Sequence, residues 1–169
     1  MKPREIIEKR ISEYEDEFEK HKARYLLHLR YGEGEAAEAE FVKAEELNPD
    51  HWWIIEVTIQ RALAEERWDD ARAVAGRAAA LNLDRAQGMF YFSRIEMAQG
   101  NYRAAVANLR EGLKQRPQWA QGWERLGDAQ RQAREFVGAI ESYKKSLELG
   151  RDNVDALRGL AASYDAREQ

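Results

Sequence analysis

Residues 120–153 read AQGWERLGDAQRQAREFVGAIESYKKSLELGRDN, and this stretch decides how the rest of the chain is read. Glu135-Phe136-Val137-Gly138-Ala139 within it answers Asn101-Tyr102-Arg103-Ala104-Ala105, 34 residues earlier. The same step back reaches Arg67-Trp68-Asp69-Asp70-Ala71 and then Glu33-Gly34-Glu35-Ala36-Ala37, with no gap anywhere. A fixed period of this length marks a repeat architecture, in which each unit is one supersecondary element stacked on its neighbours. The period divides the chain into units 18–51, 52–85, 86–119 and 120–153. An N-terminal helical extension (1–17) precedes them and a half unit (154–169) follows.

The register rests on several places in the unit. Ala37, Ala71, Ala105 and Ala139 share place 20, and Ala44, Ala78, Gly112 and Ser146 share place 27. Small side chains there let two helices approach closely. Ala139, Tyr143, Ser146 and Leu147 are spaced by three and four, which sets one apolar stripe on a helix. Leu47-Asn48-Pro49-Asp50 and Gln115-Arg116-Pro117 end second helices, because proline cannot continue one. Gly32-Glu33-Gly34 and Gln99-Gly100-Asn101 mark turns inside the units. No stretch alternates with period two, so the chain is expected to be all-α.

Trp123, Leu126, Gly127, Phe136, Ala139, Tyr143 and Leu147 stand at the spacings W-x₂-L-G and A-x₃-F/Y. The chain therefore resembles the tetratricopeptide repeat family over most of its length. Departures are Arg24 and His28 in the first unit, Ser93 and Glu96 in the third and Gln130 in the fourth. The resemblance implies a right-handed superhelical array of antiparallel helix pairs. About four such units would be closed by residues 154–169 as a capping helix, or by a repeat cut in its middle. It also implies a concave groove that holds a peptide or partner helix.

At about 100° per residue, places 2, 5, 9 and 12 of each first helix lie round from the buried stripe and face that groove. They carry Trp53, Glu56, Gln60 and Leu63 in the second unit. The third has Gln87, Phe90, Arg94 and Met97, with Tyr91 adjacent. The fourth has Gln121, Glu124, Asp128 and Arg131, with Arg125 adjacent. The candidate partner-binding set is Trp53, Glu56, Gln60, Phe90, Tyr91, Arg94, Met97, Arg125, Asp128 and Arg131. Aromatics beside arginine are the composition of interface hot spots. The alternatives for Trp53 and Phe90 are packing between repeats and a small-molecule pocket. Some family members grip an acidic C-terminal peptide with a lysine/asparagine/arginine clamp. The matching places here are Lys22, Leu26, Val57, Gln87 and Tyr91, so only the lysine is present and a receptor of that type is not expected.

Ile7, Ile11, Tyr14, Phe18 and Tyr25 recur on one face, and no Gly or Pro interrupts 4–31. The expectation is one long helix packed on the array. Alternatives are a self-association seam, giving a homo-oligomer through residues 3–31, and the remnant of a linker.

The chain has 27 Lys+Arg against 31 Asp+Glu, a net charge of −4, and no cysteine. An acidic balance disfavours a nucleic-acid partner, and the missing thiols remove disulfides and thiolate chemistry. No apolar run is long enough for a membrane span. The N-terminus shows no apolar leader region, so a cytoplasmic location is expected. His21 and His28 stand two helical turns apart, too far to share a metal without a third ligand. No glycine-rich phosphate loop follows a strand, and no histidine shares a unit with Ser93, Ser142 or Ser146. The expectation is a non-enzymatic scaffold without cofactor or metal, whose partner is a protein or peptide. The alternatives are a self-assembling module joined through its N-terminal helix, and the repeat region of a larger enzyme or signalling protein. Charge is uneven along the chain: residues 1–50 hold nine cations and fourteen anions, net −5, while 86–153 hold eleven and eight, net +3.

Overall fold

The computed structural model describes residues 2–81, 85–150 and 152–168. Calls on residues 1, 82–84, 151 and 169 lie outside the described residues. Ten helices are described: α1 (Pro3–Ser12), α2 (Glu17–Arg30), α3 (Gly34–Leu47), α4 (Trp52–Ala64), α5 (Trp68–Ala80), α6 (Arg85–Ala98), α7 (Tyr102–Gln115), α8 (Ala120–Gln132), α9 (Phe136–Leu149) and α10 (Val154–Glu168). No strand occurs among the described residues. Helices α3, α5, α7 and α9 begin at Gly34, Trp68, Tyr102 and Phe136, each 34 residues after the last. The chain forms two bodies, Met1–Val57 and Thr58–Gln169, the boundary in sequence falling within the residues of α4.

The turn between paired helices has one physical design, used four times. Gly32, Glu66, Gly100 and Arg134 all have φ between 55° and 75°. The next amide then donates back five residues: Glu33 N to His28 O (2.9 Å), Arg67 N to Ala62 O, Asn101 N to Glu96 O and Glu135 N to Gln130 O (each 2.8 Å). This satisfies carbonyls the helix end leaves open, and the left-handed residue that makes it possible favours glycine. Two copies have the glycine and two do not. Arg134→Gly should therefore raise unfolding stability by about 1 kcal/mol in urea titration, and Glu66→Gly likewise. Gly100→Ala should lower it by a similar amount.

In the N-terminal body the expected single helix over 4–31 is broken. Glu13, Glu15, Asp16 and Glu17 crowd four carboxylates into five residues, and like charges one turn apart disfavour a continuous helix. A break here places Glu17 and Glu19 in a new first turn, where the helix dipole favours anions. Asp16 Oδ1 then accepts from Glu19 N at 3.2 Å as the cap of α2. Of the stripe considered as a seam, Ile11, Phe18 and Tyr25 are buried and Ile7 is half-buried, while Tyr14 is 45 % exposed. Phe18 and Tyr25 join Ala37, Phe41, Ala44, Trp53, Ile54 and Val57 in one core.

Helix α1 is tied down by charge as well. Arg4 grips Glu33 with two bonds, Nη1–Oε1 at 2.5 Å and Nη2–Oε2 at 2.9 Å, while His28 Nδ1 lies 2.6 Å from Glu33 Oε2. Hydrogen bonds from Arg4 and then His28 hold the Glu33 carboxyl down at about 2.

His51 adds a pH-dependent element. Its Nδ1 accepts from the Trp53 amide in the first turn of α4 (3.2 Å), and its ring lies 4.3 Å from that of Phe18. Burial and then Lys22 depress its pKa. The folded state thus binds fewer protons than the unfolded chain, so the stability His51 contributes is present above about pH 6.5 and fades as pH falls through the folded value. Melting temperature should drop on acidification through that window. His51→Asn, which keeps a capping acceptor without titrating there, should flatten the drop.

In the C-terminal body, α5 packs on α6, α6 on α7, α7 on α8, α8 on α9 and α9 on α10, with α10 also meeting α8. Ala105, Val106, Leu109, Leu113, Leu126 and Ala129 form one core, covered by Phe90, Met97, Trp119 and Trp123. Ala139, Tyr143 and Ala156 form the next, with Leu147 and Leu160 against it. The recurring alanines are buried in both bodies: Ala37 in the N-terminal one is 1 % exposed, and Ala71, Ala105 and Ala139 in the C-terminal one are 0 % exposed.

Candidate functional site

The ten residues expected in the groove separate into three groups. Trp53 and Tyr91 are core: Trp53 is 7 % and Tyr91 2 % exposed. Trp53 stands among Tyr25 (5.2 Å), Phe41 (5.8 Å) and Phe18 (6.1 Å). Neither offers a surface, which corrects the expectation for both. Glu56 and Gln60 stand on α4, half-buried and exposed, on either side of the boundary between the bodies.

The remaining six lie in the C-terminal body. Phe90 and Met97 are half-buried on α6 and pack partly on its core. The Phe90 ring meets Trp119 edge-on at 5.3 Å, and the Arg94 guanidinium lies 5.8 Å from it. Arg125, Asp128 and Arg131 line a cleft of about 420 Å³ between α8 and α10. Its other walls are Glu124, Asp155, Arg158, Gly159 and Ala162.

Asp155, Arg158 and Ala162 were absent from the expected set, although the signal was in the repeat. Continuing the 34-residue register past 153 gives them places 2, 5 and 9, the groove places of a fifth first helix. Residues 154–169 were read as a capping helix or a repeat cut in its middle, and no groove places were drawn on them.

The cleft is preorganised from below. Tyr143 on α9 is fully buried and donates its hydroxyl to Asp128 Oδ1 at 2.8 Å. Burial, with the Asp128 carboxylate beside it, raises the phenol above its ordinary range against the pull of Arg131. The hydroxyl therefore stays protonated and holds Asp128 in place. Arg125 Nη1 stands 3.8 Å from Asp128 Oδ2 and 3.9 Å from Glu124 Oε1.

Glu124 is buried and accepts from Asn153 Nδ2 at 2.8 Å. Asn153 also caps α10, its Oδ1 accepting from Ala156 N at 3.0 Å, so a single side chain fixes α10 against α8. Arg131 Nε is buried without a hydrogen-bond partner. Three arginines and three carboxylates thus line one cleft.

Lys22 is committed to Glu19 (3.0 and 3.1 Å) and lies 5.7 Å from the Trp52 ring. Val57 and Tyr91 are buried. Among the described residues no group of three or more His, Asp or Glu side chains is placed to hold a metal ion. No described helix is long and apolar enough to cross a membrane.

Residues 92–154 match the tetratricopeptide repeat family. Among solved structures, the Sgt2 TPR domain from Aspergillus fumigatus is similar at TM-score 0.61 and 20 % identity, over 68 % of this chain and 77 % of that one. MamA from Desulfovibrio magneticus RS-1 is similar at TM-score 0.63 and 14 % identity, over 90 % of this chain and 86 % of that one. The first TPR of Spaghetti (RPAP3), solved with an HSP90 peptide bound, is similar at TM-score 0.61 and 13 % identity, over 69 % of this chain and 93 % of that one. At these identities the likeness is one of fold, a helical repeat array. No curated protein matches the chain in sequence.

Proposed function

Since the chain is a tetratricopeptide repeat protein, we propose that it is a protein-interaction module whose C-terminal body holds a charge-bearing peptide segment along α6, α8 and α10. One observation carries this reading: the cleft in which Arg125, Arg131 and Arg158 alternate with Asp128 and Asp155. Arginine offers a planar fork to carboxylates, and the buried Tyr143 and Asn153 hold two of the facing acids in fixed positions. Preorganised donors and acceptors lower the entropy that a guest's binding would otherwise cost. Phe90 with Arg94 supplies the aromatic–cation neighbour that a hot spot uses. That the Spaghetti domain was solved with a peptide bound lends the reading support by analogy of fold.

Random peptides displayed on phage and selected on the intact protein provide the test, with affinity read by fluorescence anisotropy. The selected peptides should lose at least about tenfold in affinity on Arg125→Glu combined with Arg158→Glu, at unchanged melting temperature. Undiminished binding to that variant would place the site elsewhere.

A further inference from the structure

A second surface, on the side of the C-terminal body formed by α7 and α9, has a different character. A crevice of about 500 Å³ opens there, floored by Leu113, Trp123 and Leu126 and rimmed by Arg110, Lys114 and Lys145. Glu141 is the only carboxylate in its lining. Trp123 Nε1 donates to Pro117 O at 2.8 Å, which fixes the indole. The rim cations pair with carboxylates outside the crevice: Lys114 with Glu111 (2.8 Å), Lys145 with Glu148 (2.9 Å) and Arg110 with Glu135 (3.5 Å). Such exposed pairs contribute little and exchange readily for another anion.

The chain itself presents the complement of this crevice. Glu35, Glu38, Val42 and Glu46 on α3 are exposed and follow one another at spacings of three, four and four, which puts them on one helix face. Val42 is 43 % exposed at the centre of that acidic strip. An aliphatic side chain flanked by carboxylates is the shape and charge that an apolar floor with a cationic rim accepts. The same opposition runs along the whole chain, net −5 over residues 1–50 and +3 over 86–153. The N-terminal stripe offers a smaller apolar surface, because Ile11, Phe18 and Tyr25 are buried and Tyr14 is the stripe residue left exposed.

We propose that the occupant of the α7–α9 crevice is α3 of a second copy of this chain. The two surfaces differ, so the contact is head-to-tail: in a pair, the crevice of one copy and the acidic strip of the other remain unoccupied. Association of this kind grows into an open chain unless its rotation closes a ring. Because charge guides it, raising salt weakens it.

Sedimentation equilibrium of the full chain tests this directly. At about 50 mM salt the weight-average mass should climb with concentration beyond a dimer, and at about 500 mM it should fall back toward the monomer. Lys114→Glu with Lys145→Glu disables the crevice, and Glu35→Lys with Glu38→Lys disables the strip; each variant alone should be monomeric. An equimolar mixture of the two should form a dimer and stop there, because only one intact crevice and one intact strip remain per pair. Circular dichroism checks folding, and Lys114→Gln with Lys145→Gln repeats the crevice test if charge reversal disturbs it. A wild-type chain that stays monomeric near 1 mM at low salt overturns the proposal. So does a mixture that stays monomeric, or association that survives both pairs of changes.

Discussion

Trp53→Ala should cost the protein about 3–5 kcal/mol of unfolding free energy, the usual range for emptying a buried tryptophan site. The indole is held by three aromatic rings within 6.1 Å and belongs to the core that joins α2, α3 and the start of α4. Trp52, its neighbour in sequence, is 60 % exposed and contacts the His51 ring and the Lys22 ammonium. Trp52→Ala should therefore cost no more than about 1 kcal/mol. Urea titration of the two variants separates the cases, and equal losses would show that the core assignment is wrong. The contrast also bears on function. Trp53 stood first in the expected partner-binding set, and its removal should weaken folding while leaving peptide affinity of the C-terminal body unchanged.

The second large effect concerns Gly127. A methyl group there would stand 2.7, 2.8 and 2.9 Å from three ring atoms of Tyr143. The ring has no room to retreat, since a Cβ on Gly159 would already lie 2.4 Å from Cζ and 2.6 Å from the hydroxyl oxygen. Two opposed terms decide the sign. Alanine gains about 1 kcal/mol over glycine inside a helix, whereas overpacking a rigid site costs about 1–3 kcal/mol and occasionally more. Tyr143 is fully buried and bonded to Asp128, so the upper end applies and Gly127→Ala should lose about 2 kcal/mol net. Gly76 in α5 is the control, with nothing within 4 Å of an added Cβ. Gly76→Ala should gain up to about 1 kcal/mol. Because the Tyr143 ring supports Asp128, Gly127→Ala should also weaken peptide binding, whereas Gly76→Ala should not.

Much of the helix pattern could be read from spacing alone. A fixed period forces identical turns, and the same left-handed residue recurs at Gly32, Glu66, Gly100 and Arg134 even where glycine has been lost. Place 20 was legible for the same reason, since a side chain larger than alanine does not fit where two helices touch.

What spacing could not supply is side-chain reach. Place 2 points toward the groove for Gln121, which is exposed. At Trp53 the same backbone direction carries an indole long enough to turn inward among Phe18, Tyr25 and Phe41. Tyr91 stands at place 6, beside the groove places rather than in one, and is buried as Val57 is at the same place. The break between α1 and α2 carries neither glycine nor proline; crowded carboxylates and an aspartate cap mark it instead. The walls contributed by α10 were readable but unread, since the repeat register assigns Asp155 and Arg158 to groove places.

Backbone amide chemical shifts of the isotopically labelled protein, followed while a phage-selected peptide is added, test the binding account most directly. The shifts should move at Arg94, Arg125, Asp128, Arg131 and Arg158, on the faces of α6, α8 and α10. Shifts confined to α7 and α9, or to the N-terminal body, would contradict it.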